Sequence, residues 1–313
     1  MTEHPAPERA ALRVGIDLGG TKIAGVAMGR SSRPLAERRE PAPRGDYDAT
    51  VRAIGAMVAA LEQEVGEQGS VGIGIPGSIA PNSGLVQNAN STWLNGRALR
   101  ADLESHLGRP LRLANDANCF ALSEAVDGAG AGARSVFGVI LGTGCGGGLV
   151  FEGHLVEGAR GIGSEWGHNP LPWPSPEEYP GPACWCGRRG CMETWVSGPA
   201  LERDYAAAAG DSLPAEGIAA RAATGDVPAR EALARHATRL GRGLAHVLNI
   251  FDADVVVLGG GLSKLQHLYQ ALPALVANHL VGSGLTAGDV RILPPRWGDA
   301  SGVRGAAWLW GRP

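Results

Sequence analysis

The chain has 313 residues, 44% apolar and 19% charged, with a formal net charge of −3, a pI near 6.2 and a mean hydropathy of −0.04. This composition excludes a disordered or fibrous chain and gives no electrostatic reason for a nucleic-acid or membrane partner, so small molecules are the expected partners. At about twice the commonest domain size, the chain is expected to form two lobes, or one large domain with a cleft. Glycine is the anomaly: 48 residues is roughly twice the usual share of about 7%. The glycines fall in runs such as 142–148 and 259–261, as where backbone turns sharply or approaches a ligand.

The first ten residues (MTEHPAPERA) are polar and proline-containing, and read as a short frayed tail rather than a signal peptide or membrane helix. The longest uncharged run, Ser135 to Phe151, holds 17 residues, but six are glycine, which suits strand, turn and strand better than a membrane span. A cytoplasmic location is expected.

In chain order, residues 12–18 (LRVGIDL) predict a strand, Gly19-Gly20 a turn, and Thr21 to Met28 the second strand of a hairpin. Tyr47 to Val65 has the apolar spacing of an amphipathic helix, and Ser70 to Ile75 reads as a buried strand ended by Pro76-Gly77. Leu99 to Leu107 predicts a helix, Leu111 to Leu113 a short strand, and Cys119 to Ala125 a helix. Val136 to Leu141, GTGCGGG and Leu149 to Phe151 then repeat the opening hairpin, which implies two lobes on one plan with glycine turns facing across a cleft. Pro170 to Pro182 reads as an irregular loop. Ala229 to Phe251 predicts a long helix, Asp254 to Leu258 a buried strand, Leu262 to Leu280 a helix directly after GGG, and Ser301 to Trp310 a closing apolar helix. Alternating strands and helices imply an α/β fold.

Several short patterns suggest chemistry. IDLGGTK (Ile16 to Lys22) puts a carboxylate at a strand end before a tight turn whose amides suit phosphate oxygens, with Asp17 placed to help hold the magnesium ion that accompanies ATP. The same residues equally fit a plain hairpin with an exposed Asp. No Walker loop occurs, and the two GxGxxG matches, Gly72 to Gly77 and Gly142 to Gly147, lack the strand-to-helix setting of a dinucleotide site. Cys184-Trp-Cys186-Gly-Arg-Arg-Gly-Cys191, with His168 sixteen residues upstream of the first cysteine, has the composition of a closed Cys₃His structural zinc site. Cys119 and Cys145 lie outside it and read as small core residues. Asn90, Asn115, Asp116, Glu165 and Glu193 are polar where apolar residues are expected. Phosphoryl transfer to an alcohol needs a carboxylate to take the hydroxyl proton, and Asp116 sits between a strand and a helix. Asn115-Asp116 also fits as the cap of the following helix.

Together DLGGTK (17–22), GIPG (74–77), NDAN (115–118), GTGCGGG (142–148), EWGH (165–168), CWCGRRGCME (184–193) and VLGGGLS (257–263) resemble the ROK (repressor, open reading frame, kinase) sugar kinases over essentially the whole chain. The resemblance implies the actin-like, ribonuclease H-like ATPase fold. It implies a small lobe over 12–118 to which 300–313 returns, a large lobe over 119–299 that carries the zinc, and a homodimer. It also implies Asp116 as general base toward a sugar 6-hydroxyl, and Asn90, Asn115, Glu165, His168 and Glu193 as sugar contacts. His168, Cys184, Cys186 and Cys191 would hold zinc. Asp17, Gly19, Gly20, Thr21 and Lys22, with Thr143, Gly144, Gly146 and Gly147, would line the phosphates of magnesium ATP, and Gly260 and Gly261 would lie nearer the adenosine.

Residues 74–96, EWGHNPLPW (165–173) and SGVRGAAWLW (301–310) look most like bacterial fructokinases with mannokinase activity, which makes D-fructose the expected substrate. N-acetylglucosamine kinases, which share NDANCFALSEA and GVRGAA, and glucokinases are the alternatives. Family repressors carry a DNA-binding helix-turn-helix module ahead of the kinase part, and the dozen residues before the first strand are too few for one. A non-catalytic sugar sensor is the remaining alternative, against which Asp17 and Asp116 argue, because a pure binder needs neither.

Overall fold

The computed structural model describes residues 12–30 and 32–311; the N-terminal tail lies outside the described residues. The elements are β1 (Arg13–Leu18), β2 (Lys22–Met28), β3 (Pro34–Pro41), α1 (Tyr47–Val65), β4 (Ser70–Ile75), β5 (Ser78–Ile79), β6 (Val86–Gln87), α2 (Leu99–Leu107), β7 (Leu111–Asn115), α3 (Asp116–Val126), β8 (Ser135–Leu141), β9 (Cys145–Phe151) and β10 (His154–Leu155). They continue with α4 (Glu193–Val196), α5 (Gly198–Ala209), α6 (Ala215–Ala223), α7 (Val227–Phe251), β11 (Val255–Gly259), α8 (Gln266–Ala277), β12 (Ile292–Leu293) and α9 (Ser301–Ala307).

Two five-stranded sheets share one plan. The first runs β3-β2-β1-β4-β7 and the second β10-β9-β8-β11-β12. In each, the leading strand pairs antiparallel with the next strand in sequence and parallel with a later one: β1 with β2 and β4, β8 with β9 and β11. The repeated hairpin is thus the visible part of a duplicated sheet. Each sheet is covered by its own core, one built on α1, α2 and the first sheet, the other on α4 to α8 and the second.

Local sequence explains the helices that build these cores. In α1, Tyr47, Val51, Ile54, Val58 and Leu61 recur at three- and four-residue steps and are all buried, while Asp46 caps the N-terminus by accepting the Ala49 N–H at 2.9 Å. Gly66 ends it at φ 78, a left-handed backbone that glycine adopts without strain. In α7, Asp226 caps in the same way and Pro228 occupies the first turn.

The last helix of each half crosses to the other sheet. α3 follows β7 yet lies on β8 and β9; α9 follows β12 yet lies on β1 and β4; and the two helices cross one another. Glycine permits this. A Cβ on Gly305 would sit 1.6 Å from the Cys119 carbonyl oxygen, and one on Gly72 would sit 1.9 Å from that of Ala306.

Helices α4, α5 and α6 and the two-residue strands β5, β6, β10 and β12 have no counterpart among the expected elements, and four further departures from the sequence reading have a local reason. β3 has no counterpart among the expected elements, since it is an edge strand whose PLAERREP offers little apolar alternation. β9 begins inside the glycine run, at Cys145 rather than Leu149. α3 begins at Asp116, three residues before the expected start, because Asn115 caps it. A 3₁₀ turn, Gly261–Lys264, separates GGG from α8, so no long helix opens on those glycines. No helix among the described residues is long and apolar enough to cross a membrane.

Candidate active site

Asp116 owes its position to the end of β7. Asn115 Oδ1 accepts the Ala117 N–H at 2.9 Å and its Nδ2 donates to the Gly77 carbonyl at 3.0 Å, so the strand end is pinned to the Pro76-Gly77 turn. Asp116 Oδ1 accepts the same Ala117 N–H at 2.8 Å. Burial raises the Asp116 pKa above the usual carboxylate range, and the Ala117 and Asn115 donors draw it partly back.

Asp116 opens onto a cleft of ≈ 490 Å³ whose walls bring together Asn90, Asn115, Asp116, Thr143, Gly144, Gly146, Glu165, His168 and Glu193. Glu193 is held from two sides: Oε2 accepts the Cys145 N–H at 3.0 Å and Oε1 the Trp185 Nε1–H at 2.7 Å. A Cβ on Gly144 would stand 2.7 Å from Glu193 Oε2, so only glycine leaves room for this carboxylate. Glu165 has its pKa raised by burial, offset by His168 and reinforced by the Asp116 and Glu193 charges. The cleft therefore gathers three carboxylates, two of them with raised pKa values, around a space of small-molecule size.

The other expected residues lie outside these walls. Asp17, at the end of β1, is near enough to Asp116 to feel its charge; burial first, and then Asp116, push its pKa up to about 6 against the pull of Lys22 and Arg39. Gly20, Thr21 and Lys22 are exposed at the β1–β2 turn, and Gly20 stands beside Ser91, whose Oγ would be 3.8 Å from an added Cβ. Gly260 and Gly261 are exposed beyond β11. Gly147 is buried and its missing Cβ would point at the Trp166 ring, 2.6 Å away, so it packs the wall from behind rather than facing the space. Sequence reasoning does not single out Asn88, Ile140 or Trp185, which line the cleft too. Asn88, with a left-handed φ of 57, leaves no signal in the sequence beyond its place in QNAN.

The cysteine motif forms a hairpin at one edge of the cleft. Ala183 and Arg189 form an antiparallel bridge, and Gly187 and Gly190 take left-handed φ values of 86 and 70. One ligand atom from each of His168, Cys184, Cys186 and Cys191 lies within 4.8 Å of all the others. The Cys186–Cys191 Sγ separation is 3.6 Å and that from Cys184 Sγ to His168 Nδ1 is also 3.6 Å. Tetrahedral zinc with the usual bond lengths would set such pairs about 3.6–3.8 Å apart, so donor set and spacing fit the metal.

The sequence pattern of the ROK family matches residues 13–312. The chain is 43% identical over 299 residues to an N-acetyl-D-glucosamine kinase of Photobacterium profundum, covering 94% of this chain and 98% of that protein. It is 42% identical over 300 residues to an N-acetyl-D-glucosamine kinase of Escherichia coli O157:H7, with the same coverage. Among solved structures, the ROK hexokinase of Thermus thermophilus superposes with a TM-score of 0.83 at 34% identity over 95% of this chain and 96% of that one. A ROK family glucokinase from Streptomyces griseus, in complex with glucose and AMPPNP, gives 0.77 at 30% identity, covering 95% and 98%. The chain belongs to the ROK family and has its actin-like ATPase fold.

Proposed function

We propose that the protein is an ATP-dependent sugar kinase that phosphorylates the 6-hydroxyl of N-acetyl-D-glucosamine. The observation that carries the kinase reading is Asp116, a carboxylate at the N-terminus of α3 that is exposed to a cleft walled by glycine turns and further carboxylates. The choice of sugar rests on the curated relatives at 42–43% identity, which are named N-acetyl-D-glucosamine kinase. These names favour that alternative over the fructokinase expected from residues 74–96, 165–173 and 301–310, and D-fructose is set aside as the preferred substrate.

In this reading Asp116 accepts the proton of the 6-hydroxyl as its oxygen attacks the γ-phosphorus, and the bond to the β-bridging oxygen breaks to leave ADP. Asn90, Asn115, Glu165, His168 and Glu193 fix the sugar so that one hydroxyl faces Asp116. Thr143, Gly144 and Gly146 receive the phosphates from one side and the exposed turn at 19–22 from the other. Gly260 and Gly261 lie toward the adenosine. Asp17 is the carboxylate suited to magnesium, whose charge would offset its burial and supply electrostatic stabilisation of the phosphates. A zinc ion held by His168, Cys184, Cys186 and Cys191 would fix the sugar-side wall without entering the reaction. Residues 12–118 with 300–313, and residues 119–299, would act as two lobes closing on the substrates.

The test is ATP consumption by purified protein with magnesium, offered N-acetylglucosamine, glucose, mannose and fructose in parallel. The expected result is the highest kcat/KM on N-acetylglucosamine. Preference for another hexose would overturn the substrate, and no turnover on any would overturn the kinase reading.

A further inference from the structure

Trp185 lies between two of the zinc-site cysteines and is 66% exposed. An indole left in water at this level is ordinarily free to move, yet this one is tethered twice. Its Nε1–H donates to Glu193 Oε1 at 2.7 Å, and its ring stands edge-on to the His168 imidazole with centroids 4.7 Å apart at 88°. Both tethers are cleft residues, and Trp185 itself lines the cleft. Of the described residues in these walls it alone presents a large aromatic face; opposite chemistry comes from Asp116, Glu165 and Glu193.

A pyranose has matching parts: a rim of hydroxyls for the carboxylates and a face of C–H bonds that gains by covering an aromatic surface. We infer that Trp185 is a substrate-binding residue, stacking on the apolar face of the sugar ring while its Nε1–H aims Glu193 at the hydroxyl rim. The inference rests on the sugar-kinase reading of this cleft. The tether matters because the indole is pre-set before the sugar arrives, so little rotamer freedom remains to be lost on binding. It also gives the hairpin that carries the cysteines a direct contact with substrate through Trp185, beside the one that His168 makes from the Trp166–His168 turn.

The experiment compares wild type with Trp185→Ala and Trp185→Phe for KM of each substrate, kcat and zinc content. Trp185→Ala is expected to raise the sugar KM about ten-fold or more, the scale of one lost aromatic contact, with the ATP KM and zinc content unchanged. Trp185→Phe should restore most of the sugar affinity, because it keeps a ring and loses only the N–H. A second readout needs no turnover: adding sugar without ATP should change tryptophan fluorescence in the wild type, and most of that change should vanish in Trp185→Phe. Unchanged sugar KM in Trp185→Ala, or equal losses for sugar and ATP, overturns the inference; so does loss of zinc in both variants, which would make the residue part of the hairpin's scaffold. Wild-type preference for a different hexose overturns the substrate proposal only, and the same comparison is then read on that hexose.

Discussion

Asn115 and Asp116 compete for one donor: the Ala117 N–H lies 2.9 Å from Asn115 Oδ1 and 2.8 Å from Asp116 Oδ1. Sequence alone leaves the pair open between capping and catalysis, and the geometry gives the cap to Asn115. Asn115 is bound at both ends of its amide and serves the helix, while the Asp116 carboxyl shares the donor and faces the cleft. Asp116→Asn keeps an oxygen for Ala117 and removes the base. It should lower kcat by about 10²–10⁴-fold and leave sugar binding, measured by calorimetry without ATP, within a few-fold of wild type. Retained turnover would remove Asp116 from the role of base.

Asp17 gives a prediction with a pH sign. Its pKa lies at about 6 in the folded chain, against an ordinary value of 3.8. The folded state thus binds the proton more tightly, and the stability associated with it is full below pH 4 and is lost as pH rises through 6. Above pH 6 the ligand-free protein carries a buried charge that costs about 1–3 kcal/mol. Asp17→Asn should melt a few degrees higher than wild type at pH 7.5, the difference should fade toward pH 4, and kinase activity should be lost. In the wild type, kcat/KM should fall below about pH 6 as Asp17 takes up its proton. A lower melting temperature for Asp17→Asn at pH 7.5 would refute the burial argument.

How far the sequence carries is clear from particular residues. Helix α1 and strand β4 have the bounds that the sequence predicts, because α1 buries one regular face and β4 is a continuous run buried on both faces. The edge strand β3 buries only Ala36, so alternation cannot reveal it. The duplicated hairpin is legible, but the seating of α9 on α3 and on β4 is not, since it depends on Gly305 meeting the Cys119 carbonyl and Gly72 meeting that of Ala306, from distant parts of the chain. In the cleft, Asp116, Glu165, His168 and Glu193 are legible from their motifs and, for the carboxylates, as polar residues in unexpected places. Trp185 is not, because nothing in a Cys-Trp-Cys string tells which way the ring turns.

The cysteine hairpin should respond to loss of one ligand. Cys186→Ser should lower bound zinc, measured by elemental analysis, and weaken sugar binding through His168 and Trp185, with ATP affinity less affected. Full zinc content with normal activity in this variant would show that Cys186 is not a zinc ligand and that the cluster is not the metal site proposed.

Gly305 tests the crossing of the two terminal helices. Its missing Cβ would lie 1.6 Å from the Cys119 carbonyl oxygen, a backbone atom that cannot swing aside. Gly305→Ala should therefore separate α9 from α3 and cost roughly 3 kcal/mol or more of stability. Denaturant unfolding near the wild-type midpoint would show that the helices can part at little cost.

Gly261 separates space that the fold needs from space that a ligand needs. An added Cβ there has no heavy atom within 4 Å and its φ is not left-handed, so Gly261→Ala should change the unfolding free energy by no more than about 0.5 kcal/mol. If Gly261 lies against the nucleotide, as proposed, the methyl group takes up room that ATP requires. The ATP KM should then rise several-fold while the sugar KM, set at the Glu193 side of the cleft, stays put. A variant with normal stability and an unchanged ATP KM would move the adenosine away from the turn after β11 and leave the glycine run there without a nucleotide role.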